Sequence, residues 1–446
     1  IKSYLDKVKS HESFLKNTHY SLENREWLKR VIHLSGGDPQ IYALISSQLS
    51  GMENVIESGG TGVDVKTFYK QSSSSIEIAN SELLRKYINE GSAIISFMGH
   101  SAAVRLDFNL ENVDSYKNKD RYHLFIAMGC YAGSLFGANR SISEDHNLAP
   151  EKGSIVYLAN TTAGFPDILG LFGNELYRQF GGTSFGKSIG DAVRETIMQM
   201  IRNGGERLLT QAYSTTFNGD PAIHINFNTQ QDYTIDPSSV IADPSLIFST
   251  QKDFKLNFDI VNLGAYVQDS IQLTVEREKP NGSKSIVFDG RVATPSWRSS
   301  QQILIPILGD DAIGSNVLYI SLDAKNAIAE GPMPEAEQNN QLEINGGKGF
   351  KFLVFGNEAR PVFPEDFAIV NVENPTLIAC NGNTLAPKIR YHLQMDTTEY
   401  FNSPLFLSTS IEQTGGIIQW QPNVRLLGNT VYYWRVSPDS TIAGQY

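Results

Sequence analysis

The chain has 446 residues, 41% hydrophobic, 19% charged and 10% aromatic. This balance excludes a disordered or collagen-like chain and, at about 150 residues per domain, predicts about three domains. Its formal net charge of -11 and the absence of any Lys/Arg run exclude a basic nucleic-acid or anionic-membrane surface, and no apolar stretch reaches the roughly 18 residues of a membrane span. Residues 1–228 carry 22 basic and 24 acidic residues and residues 229–446 carry 15 and 24, so the acidity belongs to the second half. Two cysteines, Cys130 and Cys380, cannot build a disulfide framework. The sequence opens Ile1-Lys2-Ser3, with neither a Met nor an apolar leader, and reads as a piece of a longer precursor.

Up to about residue 228, short apolar runs alternate with amphipathic segments. Arg30–Leu34 reads as a strand and Asp38–Leu49 as a helix. After the small polar run Ser72–Ser75, Ser81–Asn89 reads as a helix and Ser92–Met98 as a buried strand. His123–Met128 and Ser154–Ala159 are further strands. Asp167–Phe180 and Ser184–Ile201 repeat apolar residues every three or four positions, as helices do. Strands alternating with helices predict a largely parallel sheet with helices packed on it. From about residue 240 the period changes to two. Phe254–Asn262, Ser270–Val275, Ser285–Phe288, Gln302–Ile307 and Val317–Leu322 alternate, with turn signals at Pro280-Asn281-Gly282, Asp289-Gly290 and Gly309-Asp310-Asp311 between them. This pattern predicts an antiparallel β-sandwich. A second all-β stretch follows from about Val362, with Lys388–Gln394, Gly416–Trp420 and Thr430–Val436 as strands. It holds fewer strands than a complete sandwich, so a truncated domain is expected. The expected domains are therefore 1–228, 240–355 and 362–446.

Three strands of the first domain end in small or polar residues: Gly99-His100-Ser101, Gly129-Cys130-Tyr131 and Asn160-Thr161-Thr162. Ligands of open parallel sheets bind beyond the carboxyl ends of the strands, which would bring His100, Cys130 and Thr161 to one crevice. A thiol and an imidazole suit nucleophilic acyl transfer: the thiolate attacks a carbonyl while the imidazole takes and returns protons. Glycines before both residues permit sharp turns that aim backbone N–H groups into the crevice. The alternatives are a cysteine acting as a small buried hydrophobe and a hydrogen-bonded structural histidine. His33, His123, His146 and His224 lack metal-ligand spacing, so no metal or other cofactor is expected. Asp107, Glu144 and Asp145 read as solvated loop charges.

Five stretches resemble the gingipain-type cysteine peptidases of the caspase-like clan, in family order. They are Ser96–Ser101, Ile126–Gly133, Ser143-Glu144, Lys152–Ala159 and Gly219-Asp220-Pro221-Ala222, the last resembling the family's closing strand. Gly99-His100-Ser101 with Leu106-Asp107-Phe108-Asn109 resembles a Bacteroidota branch related to the sortases of type IX secretion. The later sandwiches are similar to the immunoglobulin-like and fibronectin type III-like modules that follow such domains. The resemblance implies a multidomain protein: an α/β caspase-like domain with a mostly parallel sheet, then two all-β immunoglobulin-like sandwiches. It implies Cys130 as nucleophile, His100 as general base and acid, and the backbone N–H groups of Cys130 and Ser101 as the oxyanion hole. It also implies Thr161, Thr162 and Phe165 as the pocket for the residue before the scissile bond. The family carries Gly where Ser101 stands, and its histidine-orienting carboxylate is expected upstream of the first helix. The implied activity is that of an endopeptidase or sortase-like transpeptidase on protein or peptide substrates, at the cell surface, outer membrane or outside the cell, with secretion-system components as partners. An inactive peptidase-like scaffold and an adhesin whose β modules carry the function are the other readings.

Overall fold

The computed structural model describes residues 1–439 apart from 71–74, 109, 111, 138–139, 226, 357, 384–385 and 387, with the backbone alone at 75–80 and 310. Asn109 of the resemblance motif and Ser72–Ser74 of the polar run lie outside the described residues. The strands of the first half are β1 (Arg30–Ser35), β2 (Asp64–Tyr69), β3 (Ile94–Met98), a short hairpin of β4 (Ser101–Ala102) and β5 (Arg105–Leu106), β6 (His123–Met128), β7 (Ser154–Asn160) and β8 (Thr215–Gly219). Six of them form one sheet in the order β2-β1-β3-β6-β7-β8. The first five are parallel and β8 is antiparallel to β7.

The central strands β3, β6 and β7 are largely apolar and buried at every position because both faces are covered. Val31, Ile94, Leu124, Ile126, Val156 and Leu158 face one core with α3 (Tyr42–Glu57), α6 (Pro166–Gly181) and α7 (Ile189–Asn203). Ile32, Leu34, Ile95, Phe97, Phe125 and Tyr157 face the other, with Leu84 and Ile88 of the helix Ser75–Glu90. The leading helix α1 (Lys2–Asn17) is pinned by Lys7, a buried ammonium. Its Nζ donates to the carbonyls of Asn147 (3.1 Å), Lys152 (2.6 Å) and Ser154 (2.8 Å), with His146 O at 3.5 Å.

Residues 233–355 form two facing sheets. Asp253–Asn262 is central in one, and Gly314–Leu322 and Ser270–Glu278 in the other. Phe254, Leu256, Phe258, Leu273, Val275 and Ile320 fill the space between them. Residues 359–438 give two three-stranded sheets around a smaller core of Ala379, Tyr391, Leu393 and Ile418. The architecture is thus an α/β domain followed by two all-β sandwiches.

Several boundaries differ from expectation. The helix read from Asp38 begins at Tyr42, because the Asp38 carboxylate accepts the N–H groups of Gln40 (2.8 Å) and Ile41 (3.3 Å) in a turn of its own. The helix read from Ser184 begins at Ile189, where the Ser188 hydroxyl caps Asp191 N at 3.1 Å. The closing strand is Thr215–Gly219, and Asp220-Pro221-Ala222 lies beyond it in a turn. Asp289-Gly290, read as a turn, lies inside the strand Lys284–Ala293, paired with Thr274 and Leu273. A long partner strand there overrides the local turn chemistry. One strand pair in the first sandwich, Ile247–Phe248 against Phe350–Phe355, is parallel.

The α/β domain and the first sandwich share buried polar contacts. Lys29, 3% exposed, donates to Thr61 O at 2.6 Å and to Gly264 O. Tyr266 N–H reaches Gly60 O at 2.8 Å, and the Tyr20 hydroxyl donates to the Asp232 carboxylate. Burial pushes Lys29 down to about 7 and Asp232 up to about 6.

Candidate active site

The parallel strands deliver their carboxyl ends to one rim. Ser35, Met98 and Met128 stand in register across β1, β3 and β6, and Ala127 pairs with Ala159 of β7. Beyond them come, side by side, Gly36-Gly37-Asp38, Gly99-His100-Ser101, Gly129-Cys130-Tyr131 and Thr161-Thr162. His100 and Cys130 each lie two residues past registered partners, on strands whose typical spacing is about 4.8 Å. His100 Nε2 is 3.3 Å from Asp38 Oδ2, both side chains half-exposed. The Gln40 N–H, then His100 and the Ile41 N–H, hold the Asp38 carboxyl below the usual range.

The histidine loop and the cysteine loop touch directly. The Ser101 hydroxyl donates to the Cys130 carbonyl at 2.8 Å, and Gly99 N–H to Met128 O at 3.3 Å. A Cβ on Gly129 would stand 2.2 Å from Ser101 Oγ and 2.8 Å from Gly99 O, so only glycine fits there. Asp107 N–H donates to His100 O at 2.9 Å. The adjoining Ser101–Leu106 pair is then of the non-hydrogen-bonded type, with the Ser101 N–H turned away from the hairpin. Among the described residues, the Cys130 N–H has no acceptor. Tyr131 follows at φ +58, a left-handed conformation costly for a side chain of its size, and its N–H binds Thr162 O at 2.9 Å.

Of the expected pocket residues, Thr162 and Phe165 are exposed beside the cysteine loop. Thr161 turns elsewhere: its N–H and hydroxyl both bind Ser214 O, at 2.9 and 3.2 Å, at the end of α8 (Glu206–Ser214). Between them Gly164 directs its N–H to Cys130 Sγ at 3.4 Å. Both cysteines are free, and Cys380 sits on a strand of the last sandwich.

Two acids near His100 and Cys130 are placed differently from the sequence reading. Asp38 stands three residues past the end of β1, where the same strand-end rule applies. The helical reading of Asp38–Leu49 hides it, and the resemblance places the histidine-orienting carboxylate upstream of α1. Asp107 is no solvated charge, for its side chain is 18% exposed. Its Oδ2 takes the Gly37 N–H at 2.8 Å and Lys70 Nζ at 3.3 Å, and Cβ atoms on Gly36 or Gly99 would strike its Oδ1. It braces the loop after β1 against the loop after β3. Glu144 closes a capping box with Ser141 on the helix Ile142–Leu148, and Asp145 pairs with Arg140 at 3.4 Å. His33 binds Tyr177 OH at 2.8 Å, His123 and His146 are buried, and His224 faces Gly186 O.

A thiol, an imidazole and a carboxylate thus stand at the ends of adjacent strands of a parallel α/β domain. The chain belongs to peptidase family C25, whose profile matches residues 1–226. It is a cysteine-type peptidase with the gingipain type of catalytic domain, and its substrates are proteins or peptides. Similar solved structures include the Arg-specific cysteine proteinase gingipain R, at 11% identity and TM-score 0.39, covering 78% of this chain and 72% of that one. The complex of Porphyromonas gingivalis RgpB pro- and mature domains matches at 10% identity and TM-score 0.40, covering 78% and 73%. A CARDB domain from Pyrococcus furiosus, in complex with di-metal ions, matches at 16% identity and TM-score 0.22, covering 31% and 98%. No curated protein sequence matches. Among the described residues, no helix is long and apolar enough to cross a membrane.

Proposed function

We propose that this peptidase is an endopeptidase or sortase-like transpeptidase in which Cys130 is the nucleophile, His100 the general base and acid, and Asp38 the carboxylate that orients the imidazole. The observation that carries the reading is the Asp38–His100 contact at 3.3 Å on the strand ends beside that of Cys130. With Nε2 turned to Asp38, Nδ1 is the nitrogen left to exchange a proton with the thiol. His100 takes the Cys130 proton as sulfur attacks the peptide carbonyl. The N–H groups of Cys130 and Ser101 would receive the oxyanion, a contribution of roughly 3–4 kcal/mol per donor in known enzymes. Collapse expels the amine, protonated by His100, and leaves a thioester. Water or an amine, deprotonated by His100, then releases the acyl group and regenerates the thiol. Hydrolysis and transpeptidation differ only in that last nucleophile.

The domains are assigned as peptidase 1–228, immunoglobulin-like 240–355 and fibronectin type III-like 362–446. The resemblance of Gly99-His100-Ser101 and Leu106-Asp107-Phe108 to the Bacteroidota branch supports a surface or outer membrane-associated protein working with type IX secretion components. Profiling the full-length protein and its Cys130→Ala variant on a peptide library tests the chemistry. Cleavage or amine ligation that disappears in the variant is expected, and identical profiles would overturn it. Iodoacetamide at neutral pH should label Cys130 far faster than Cys380.

A further inference from the structure

The loop beside Cys130 already holds a cation from its own chain. Arg207, in the first turn of α8, lays its guanidinium over the Phe165 ring, 4.6 Å from the centroid, and donates to Asp167 Oδ1 at 2.6 Å. Phe165 directly follows Gly164, the residue whose N–H reaches the cysteine sulfur. An aromatic face with a carboxylate at its edge is a recognition surface for a planar cation.

The end of α8 that bears Arg207 lies away from the end that is tied to the sheet. Its far end is fixed at the strand rim, where Asn160 and Gln211 exchange hydrogen bonds of 2.9 and 2.7 Å and Thr161 N–H binds Ser214 O. Its near end is entered through Gly204 (φ +71) and Gly205 (φ +93), with no atom within 4 Å of a Cβ built on either.

We propose that Arg207 is a resident occupant of the subsite for the residue before the scissile bond, closing it to substrate arginine and lysine, so that this peptidase selects an uncharged side chain there. The inference rests on the assignment of Cys130 as nucleophile and of residues 162–165 as its pocket. A substrate guanidinium could use Phe165 and Asp167 only by displacing Arg207. Otherwise it would meet a like charge over a carboxylate already engaged.

The test is binding, read without the thiol. In the full chain carrying Cys130→Ala, tetrapeptide amides ending in arginine or in its uncharged isostere citrulline are titrated against Arg207, Arg207→Lys and Arg207→Gln proteins. With Arg207 or Lys in place, the arginine peptide should bind no tighter than the citrulline one. Arg207→Gln should favour arginine at least tenfold, about 1.4 kcal/mol, and adding Asp167→Asn should abolish that preference. An unchanged ratio in Arg207→Gln, or a tenfold arginine preference with Arg207 present, overturns the proposal. Absence of Cys130-dependent cleavage would instead overturn the catalytic assignment, while the binding ratio would still decide the role of Arg207.

Discussion

Replacing Gly129 by alanine tests how the two catalytic loops are held together. The added methyl group would stand 2.2 Å from Ser101 Oγ and 2.8 Å from Gly99 O, so either the hydroxyl leaves or the strand ends separate by about an ångström. Overpacking of this kind costs roughly 1–3 kcal/mol. Loss of the 2.8 Å Ser101–Cys130 hydrogen bond adds about 0.5–1.5 kcal/mol. The sum, about 1.5–4.5 kcal/mol, lowers the melting temperature of an α/β domain of this size by roughly 3–18 °C. A shift of an ångström in Cys130 should also cut kcat/KM about 100-fold. Ser101→Gly removes the nearer obstacle and leaves Gly99 O in place. The double variant should therefore recover part of the loss, with a coupling of about 1–2 kcal/mol against additivity. Thermal melts and peptide kinetics on the four proteins measure this. A Gly129→Ala protein melting within a degree of wild type, or strictly additive effects, would refute the packing described.

Asp38→Asn should lower kcat/KM by about 10- to 100-fold with an unchanged melting temperature. This is less than the ~10⁴ of a buried orienting aspartate, because the pair is half-exposed; steady-state kinetics decide it. Lys7→Met should cost at least about 2 kcal/mol in urea denaturation, since it strips the donor from several buried carbonyls. Burial holds His11 and His146 down to about 4, His33 to about 3 and His123 well below its ordinary value. At these four histidines the unfolded chain therefore binds more protons than the folded one below pH 6.5, which outweighs the opposite effect of two buried acids, Asp232 held up at about 6 and Glu330 at about 8. Stability is present above that pH and should fall as pH drops from 6.5 towards 4, by up to about 1.4 kcal/mol per unit for each histidine. Urea midpoints that stay level between pH 7 and 5 would contradict it.

The strands that were legible carried either an unbroken apolar run or strict alternation. His123–Met128 is fixed to the residue by an unbroken apolar run, and Ser270 onward by strict alternation. The helix starts were not, because Asp38 and Ser188 act through side chain-to-backbone bonds that a three- to four-residue period does not register. Of the site, the sequence offered His100 and Cys130, each marked by a preceding glycine. Asp38 escaped because its relation to His100 exists only across two hydrogen-bonded strands separated by 62 positions. Asp107 escaped for a related reason: its place between Gly36 and Gly99 depends on those loops closing around it. Arg207 lies in a helix of only nine residues, too short for a three- to four-residue period to repeat.

The lysine enclosed between Thr61 and Gly264 gives the protein a mechanical character. A junction of that kind resists small relative slips, since moving Thr61 O or Gly264 O away before water can enter would leave a buried ammonium unpaired. Tension applied through the sandwiches, as on a protein tethered at a surface, would reach the catalytic sheet undamped. For the same reason a cut made for convenience between residues 228 and 240 would yield a damaged enzyme rather than a minimal one.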